Sequence, residues 1–205
     1  MDSLHKLVEL FRQFPGIGPR QARRFVYFLL TKDQGFLDEL AELGVRLQKE
    51  IAPCTRCFRY VPKSASAFCA ICRDKNRDTG MLALVAKDVD LDAIEKSGSF
   101  SGRYFVLGGT IPLIEKKGQG QARQKELFAL VETEAKAGML KEILLGLSAN
   151  PEGEHTADRI KEALASLVLK YKLSVTTLGR GLSTGSELEY ADSETIKSAL
   201  KNRAS

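Results

Sequence analysis

The sequence predicts a mixed α/β chain of several domains, multi-domain α+β in overall class. Three observations carry that prediction. The first fifty residues have helical periodicity broken by glycine and proline, four cysteines cluster between positions 54 and 72, and from Met81 onward apolar strand-like runs alternate with amphipathic helical ones. Alternation of this kind implies a small parallel or mostly parallel sheet with helices on its faces.

The elements follow in order. Residues 3–14 put Leu4, Leu7, Val8 and Phe11 on one helical face, and "PGIGP" ends that helix. A second helix runs from Arg20 to Leu30 with Ala22, Phe25, Val26 and Leu29 on its apolar side. A third, over 34–51, has Leu37, Leu40, Ala41, Leu47 and Ile51 as core positions and Gly44 as a weak spot. The character changes at Pro53, where the cysteine segment begins, with a short hairpin expected between the two cysteine pairs. Beyond it, strands are expected at 81–86, 103–108, 142–148 and 173–179, and helices at 90–97, 121–137, 153–171 and 192–203, the last capped by Asp192 or Ser193.

Composition bounds the function. With 43% hydrophobic residues in 205, the chain can bury a core. No apolar run approaches the roughly 20 residues that span a bilayer. The amphipathic, charged start "MDSLHKLVELFRQF" lacks a signal-peptide core, so a cytoplasmic protein without membrane attachment is expected. A net charge of +5 permits an acidic partner without requiring one.

"CTRC" and "CAIC" place Cys54, Cys57, Cys69 and Cys72 as two C-x-x-C pairs. Two such knuckles facing each other supply the four tetrahedral thiolates that zinc favours, and four cysteines leave no open coordination position. One structural, non-catalytic Zn²⁺ is therefore expected, folding a segment too small to form its own core. His5 and His155 are the only histidines, have no metal-ligand spacing, and read as surface residues.

The stretch "FPGIGPRQARRF" leaves two readings open. Gly16 and Gly18 permit positive φ and a close approach of backbone to a ligand, Pro19 suits the first helical position, and Arg20, Arg23 and Arg24 follow at once. This is either a plain helical turn with solvated arginines, or a clamp in which helix N-terminal amides and arginines hold a phosphate backbone without reading bases. Glu152 and Glu154, with His155, fall after an apolar strand where open α/β sheets bind ligands, and metal or partner contact competes there with simple helix capping. Lys116, Lys117 and Arg123 lie in a 111–127 stretch that reads by default as a solvated loop, with a DNA path as the alternative. The tail "GRGLSTGSELEYAD" lacks the lysine of a phosphate-binding P-loop, which argues against nucleotide hydrolysis.

Taken in order, "FPGIGPRQARRFVYFLL", the cysteine cluster ending "CAICRDKNRD", "LDAIEKSGSFSGRYFVLGGTIPLI", "SANPEGEHTADRIKEAL" and "LGRGLSTGSELEYADSETIKSALKNR" resemble the bacterial RecR family of recombination mediators across essentially the whole chain. The resemblance implies a helix–hairpin–helix domain at 1–52, a Cys₄ zinc finger at 53–79, a Toprim domain at 80–175 and a C-terminal oligomerisation segment at 176–205. It implies a non-enzymatic DNA-binding mediator of DNA repair that forms dimers or tetrameric rings. Such proteins act with RecO and RecF to help load RecA on single-stranded DNA. On this resemblance Arg20 and Arg24 match the family's DNA-contacting basic residues, Arg23 adds charge beside them, and the tail is a Walker-B-like acidic stretch and tetramer contact. The chain departs from the family at "LVAK", where Ala86 and Lys87 stand in place of an expected glutamate, and its "NPEGEH" loop is about two residues shorter. Two further classes compete: a Toprim metal-dependent nuclease or primase-like enzyme, and a protein-only adaptor for RecO.

Overall fold

A computed structural model describes residues 2–63, 66–114, 122–179, 181–182, 185 and 187–202. The chain forms two compact units, Met1–Ala52 and Pro53–Ser205.

The first unit is helical. Helix α1 (Ser3–Phe11) is capped by Asp2, whose side chain accepts the His5 N–H. Helix α2 (Pro19–Leu30) starts on Gly18, and α3 (Gln34–Glu50) starts on Asp33, which accepts the Phe36 N–H. Val8, Ala22 and Val26 form the small core, with Leu4, Phe11 and Ile17 packed against it. Phe11 meets Phe25 edge-on at 5.7 Å. Leu7 is exposed rather than core. The larger correction concerns α3. Leu37 is only half-buried and Leu40, Ala41 and Leu47 are exposed; none of the 17 residues of α3 is buried. Helical periodicity finds an apolar face correctly but does not say what covers it.

The second unit is built on a four-stranded, all-parallel sheet of order β4-β3-β5-β6, made of β3 (Asp78–Val85), β4 (Gly102–Val106), β5 (Glu142–Gly146) and β6 (Ser174–Thr177). Crossovers run through α5 (Asp88–Ser97), α6 (Gln124–Lys136) and α7 (Pro151–Tyr171). The period-2 alternation of strands sorts side chains into two cores. Leu82, Leu84, Phe105 and Leu107 face α6 and α7, meeting Leu127, Val131, Ile160 and Leu164. Ala83, Val85, Tyr104 and Val106 face the other way, meeting Leu91 of α5 together with Cys54, Cys57, Cys69 and Ile71. The cysteine segment is thus part of a sheet layer rather than a free-standing finger.

Two close approaches fix this packing. A Cβ on Gly153 would lie 2.0 Å from the Ser148 carbonyl oxygen, and one on Gly102 would lie 2.7 Å from the Met81 carbonyl oxygen. After β6 the described chain contains a 3₁₀ turn at Leu188–Tyr190 and helix α8 (Ser193–Lys201), capped by Asp192 as expected. No helix among the described residues is long and apolar enough to cross a membrane.

Candidate metal centre and nucleic-acid interface

Strands β1 (Ile51–Pro53) and β2 (Tyr60–Pro62) pair as a two-stranded sheet. They flank the first cysteine pair, so the hairpin expected between the two pairs lies instead around Cys54 and Cys57. The cause is local: the Cys54 N–H bonds the Arg59 carbonyl at 2.8 Å and the Phe58 N–H returns to the Cys54 carbonyl at 2.9 Å, closing the turn within the first knuckle. The second pair opens the short helix α4 (Ala70–Arg73), where the Cys69 sulfur accepts the Cys72 N–H.

This brings all four sulfurs within 4.8 Å of one another, with Cys57 Sγ and Cys69 Sγ 3.6 Å apart. Four thiolates at about 2.3 Å from a tetrahedral zinc stand about 3.8 Å apart, so the set fits a metal ion of that kind. The Cys57 side chain, followed by that of Cys72, bonds Cys69 and holds its thiol well below the usual thiol range, while bonding to Cys69 pushes Cys57 up. The thiolate is the form that binds metal. Among the described residues this is the only group of three or more cysteine, histidine or acidic side chains with that convergence.

The sequence did not single out Arg56, inside the first knuckle. Its guanidinium approaches Cys72 Sγ at 3.8 Å and donates from Nε to Glu134 Oε1 of α6 at 3.0 Å. Both side chains are largely buried, at 12% and 7% exposure.

In the helical unit, Gly16 has φ +78° with open space around it, and Gly18 caps α2 without a side-chain hydrogen bond. Pro19 has no N–H to lose, so the N–H groups of Arg20 and Gln21 are left without intrahelical acceptors. Ile17 seats the turn on the small core. Arg20, Arg23 and Arg24 are exposed and, among the described residues, none forms an ion pair within the chain. Spacing of three and four residues puts them on one face of α2, opposite the buried Ala22 and Val26, and the exposed Tyr27 continues that face. Glycine, proline and arginine spacing revealed this cluster; nothing in the pattern singled out Tyr27.

At the carboxyl edge of the sheet, Glu152 and Glu154 lie in the first turn of α7 rather than in a loop, because Asn150 caps the helix and Pro151 takes its first position. Glu152 accepts from Thr110 Oγ1 at 3.3 Å, and the buried Thr156 holds the same loop by accepting the Ile111 N–H at 2.8 Å. The two glutamates are brought to one helix terminus, where the helix dipole favours them. His155 is half-buried, not a surface residue. Ala86, at the end of β3, is buried and its carbonyl accepts the Gly108 N–H, continuing the β3–β4 ladder. Arg123 is half-buried rather than free in a loop: Nη1 donates to the Val106 carbonyl at 2.9 Å and the guanidinium covers the Phe58 ring at 5.1 Å. Lys116, Lys117, Gly118, Gly120 and Arg180 lie outside the described residues.

A glycine–proline helical turn followed by arginines without ion pairs, a four-cysteine cluster that could hold a metal ion and a four-stranded parallel sheet follow one another along the chain, the arrangement of a modular protein of nucleic-acid metabolism. Three family models match in that order: RecR, helix-hairpin-helix over residues 4–43; Toprim domain over 80–179; and RecR, C-terminal over 181–204. The chain is 36% identical over 204 residues to the recombination protein RecR of Legionella pneumophila (strain Philadelphia 1), covering 100% of this chain and 97% of that one. It is 36% identical over 202 residues to RecR of Paracoccus denitrificans, covering 98% and 96%, and 35% identical over 200 residues to RecR of Cereibacter sphaeroides, covering 98% and 95%. The chain belongs to the RecR family.

Proposed function

We propose that the protein is a DNA-binding recombination mediator of DNA repair, acting with RecO and RecF to help load RecA on single-stranded DNA. The observation that carries this reading is the exposed, unpaired face of Arg20, Arg23 and Arg24 beside an uncapped helix N-terminus, in a chain of this family. Backbone amides at Gly16 and Gly18 and the three guanidinium groups hold phosphates, and the contact is independent of base sequence and sensitive to salt.

The cysteines hold one structural Zn²⁺; when bound, the ion supplies four metal–sulfur bonds that fix the two knuckles and no chemistry toward DNA. One hairpin grips weakly, so copies act together in a dimer or tetrameric ring. The exposed apolar face of α3, with Leu40, Leu43 and Leu47, and the exposed Leu188, Tyr190 and Leu200 in the 176–205 segment support such assembly. Glu152 and Glu154 form an acidic lip suited to a basic patch on RecO.

The test is RecA filament formation on single-stranded DNA coated with single-strand-binding protein, in the presence of RecO. Stimulation lost in an Arg20→Ala/Arg24→Ala protein that remains folded supports the reading. Full stimulation by that variant would favour the adaptor that recruits RecO without touching DNA. An enzymatic Toprim reading needs carboxylates converging on divalent ions. Ala86 in place of an acid speaks against it, and Mg²⁺-dependent DNA cleavage abolished by Glu152→Ala would reinstate it.

A further inference from the structure

The first cysteine knuckle does more than enclose a metal. Strand β4 is an edge of the sheet, and its outer hydrogen-bonding side meets the knuckle, where the Val106 N–H bonds the Cys57 carbonyl at 2.8 Å. The knuckle then passes around that edge. Cys54, Cys57 and Cys69 belong to the core on one sheet face, whereas Phe58 packs with the core on the other, edge-on to Phe105 at 5.3 Å. Phe58 makes this turn at φ +61°, a left-handed conformation that a bulky side chain rarely adopts and that its surroundings must hold. Arg123 closes over the Phe58 ring from the start of α6.

Arg56 completes the wrap. It reaches from beside Cys72 Sγ to Glu134, the one buried charged residue among the described residues and part of the helix that covers the opposite sheet face. A cluster of four thiolates on a divalent ion is anionic, and a guanidinium donating to one sulfur orients that ligand and offsets its charge. The same guanidinium is the counter-ion of Glu134. If the knuckle moves away, the carboxylate is left buried without a partner, which is strongly unfavourable.

We propose that Arg56 is an outer-sphere positioning residue of the metal centre and that, through Glu134, it makes metal occupancy and the packing of α6 on the β4 edge one cooperative event. The knuckle is a two-faced clamp on an otherwise open sheet edge, and the metal is its lock. This rests on the cysteine cluster being a metal centre.

The experiment uses the full-length chain. Zinc is titrated against a chromophoric chelator and amide hydrogen exchange is followed, in the wild type, in Arg56→Met and in Arg56→Met/Glu134→Leu. Arg56→Met is expected to weaken zinc binding by about 10–100-fold and to speed exchange at Leu127–Ala135 by at least about tenfold. The double variant, with no buried charge left over, is expected to regain α6 protection but not zinc affinity. It remains the readout if Arg56→Met alone does not fold. Unchanged zinc affinity and α6 exchange in Arg56→Met overturn the inference, as does a double variant that regains both. A wild type that binds no zinc overturns the metal-centre reading as well, so the two failures are separable.

Discussion

The helical unit and the sheet unit use apolar residues in opposite ways. In the sheet unit β3 and β4 are covered on both faces, and residues such as Leu82, Leu84, Tyr104 and Phe105 are inaccessible to solvent. Among the described residues of the helical unit only Val8, Ala22 and Val26 are buried, and the apolar side of α3 is exposed apart from the half-buried Leu37. A unit that closes its own core needs nothing further to be stable. One that leaves a helix face open has apolar surface to offer a partner, and the proposed assembly would cover it. The arginine face of α2 is exposed as well.

The contrast can be broken or sharpened by substitution. The largest effect is expected at the cysteines. Cys57→Ser or Cys69→Ser removes a ligand and a buried member of the sheet core together. Bound zinc should fall from about one per chain to near zero. The melting temperature of the sheet unit should drop by 10 °C or more, on the order of the shift from losing several kcal/mol in a chain this size. Retention of zinc and of melting temperature would remove the cluster from the account.

Next is Gly153→Ala, which forces the start of α7 off the Ser148 backbone. A destabilisation of about 3 kcal/mol is expected in denaturant titration. The matching change in the other unit has the opposite sign. Gly44 lies mid-helix in α3 with open space around it, so Gly44→Ala should stabilise by about 0.5–1 kcal/mol. If both substitutions destabilise equally, the two units are not packed as differently as described.

A smaller effect on folding, but a large one on mass, is expected from Leu40→Glu/Leu47→Glu. Both side chains are exposed in the single chain, so stability should change by less than about 0.5 kcal/mol per site. Sedimentation should nevertheless show a shift toward the monomer. An unchanged mass would mean that α3 is not an oligomer contact.

Much of this was legible in the sequence, and the failures are instructive. The strands and helices of the sheet unit follow from their periodicity, because each is buried by neighbours within the same chain. The cysteine cluster follows from ligand spacing, which is set by metal geometry rather than by the fold. The periodic pattern starts α7 at residue 153, two residues late, because Asn150 and Pro151 form a cap and a first helical position that carry no apolar signal. The hairpin lies around the first knuckle because backbone hydrogen bonds inside it, which no side-chain pattern reports, close the turn there. The α3 core positions failed because amphipathicity does not reveal the covering partner. Arg56 and Glu134 are 78 positions apart in sequence, and no local pattern links them.

The central claim is that α2 holds DNA through its phosphates. Its most direct test is DNA-binding affinity of the full-length chain over a salt series, for wild type and Arg20→Ala/Arg24→Ala. The account predicts that log affinity falls linearly with log salt in the wild type. In the double variant the slope should be shallower by about two per α2 engaged, with the fold intact. An unchanged slope in the folded double variant would contradict it.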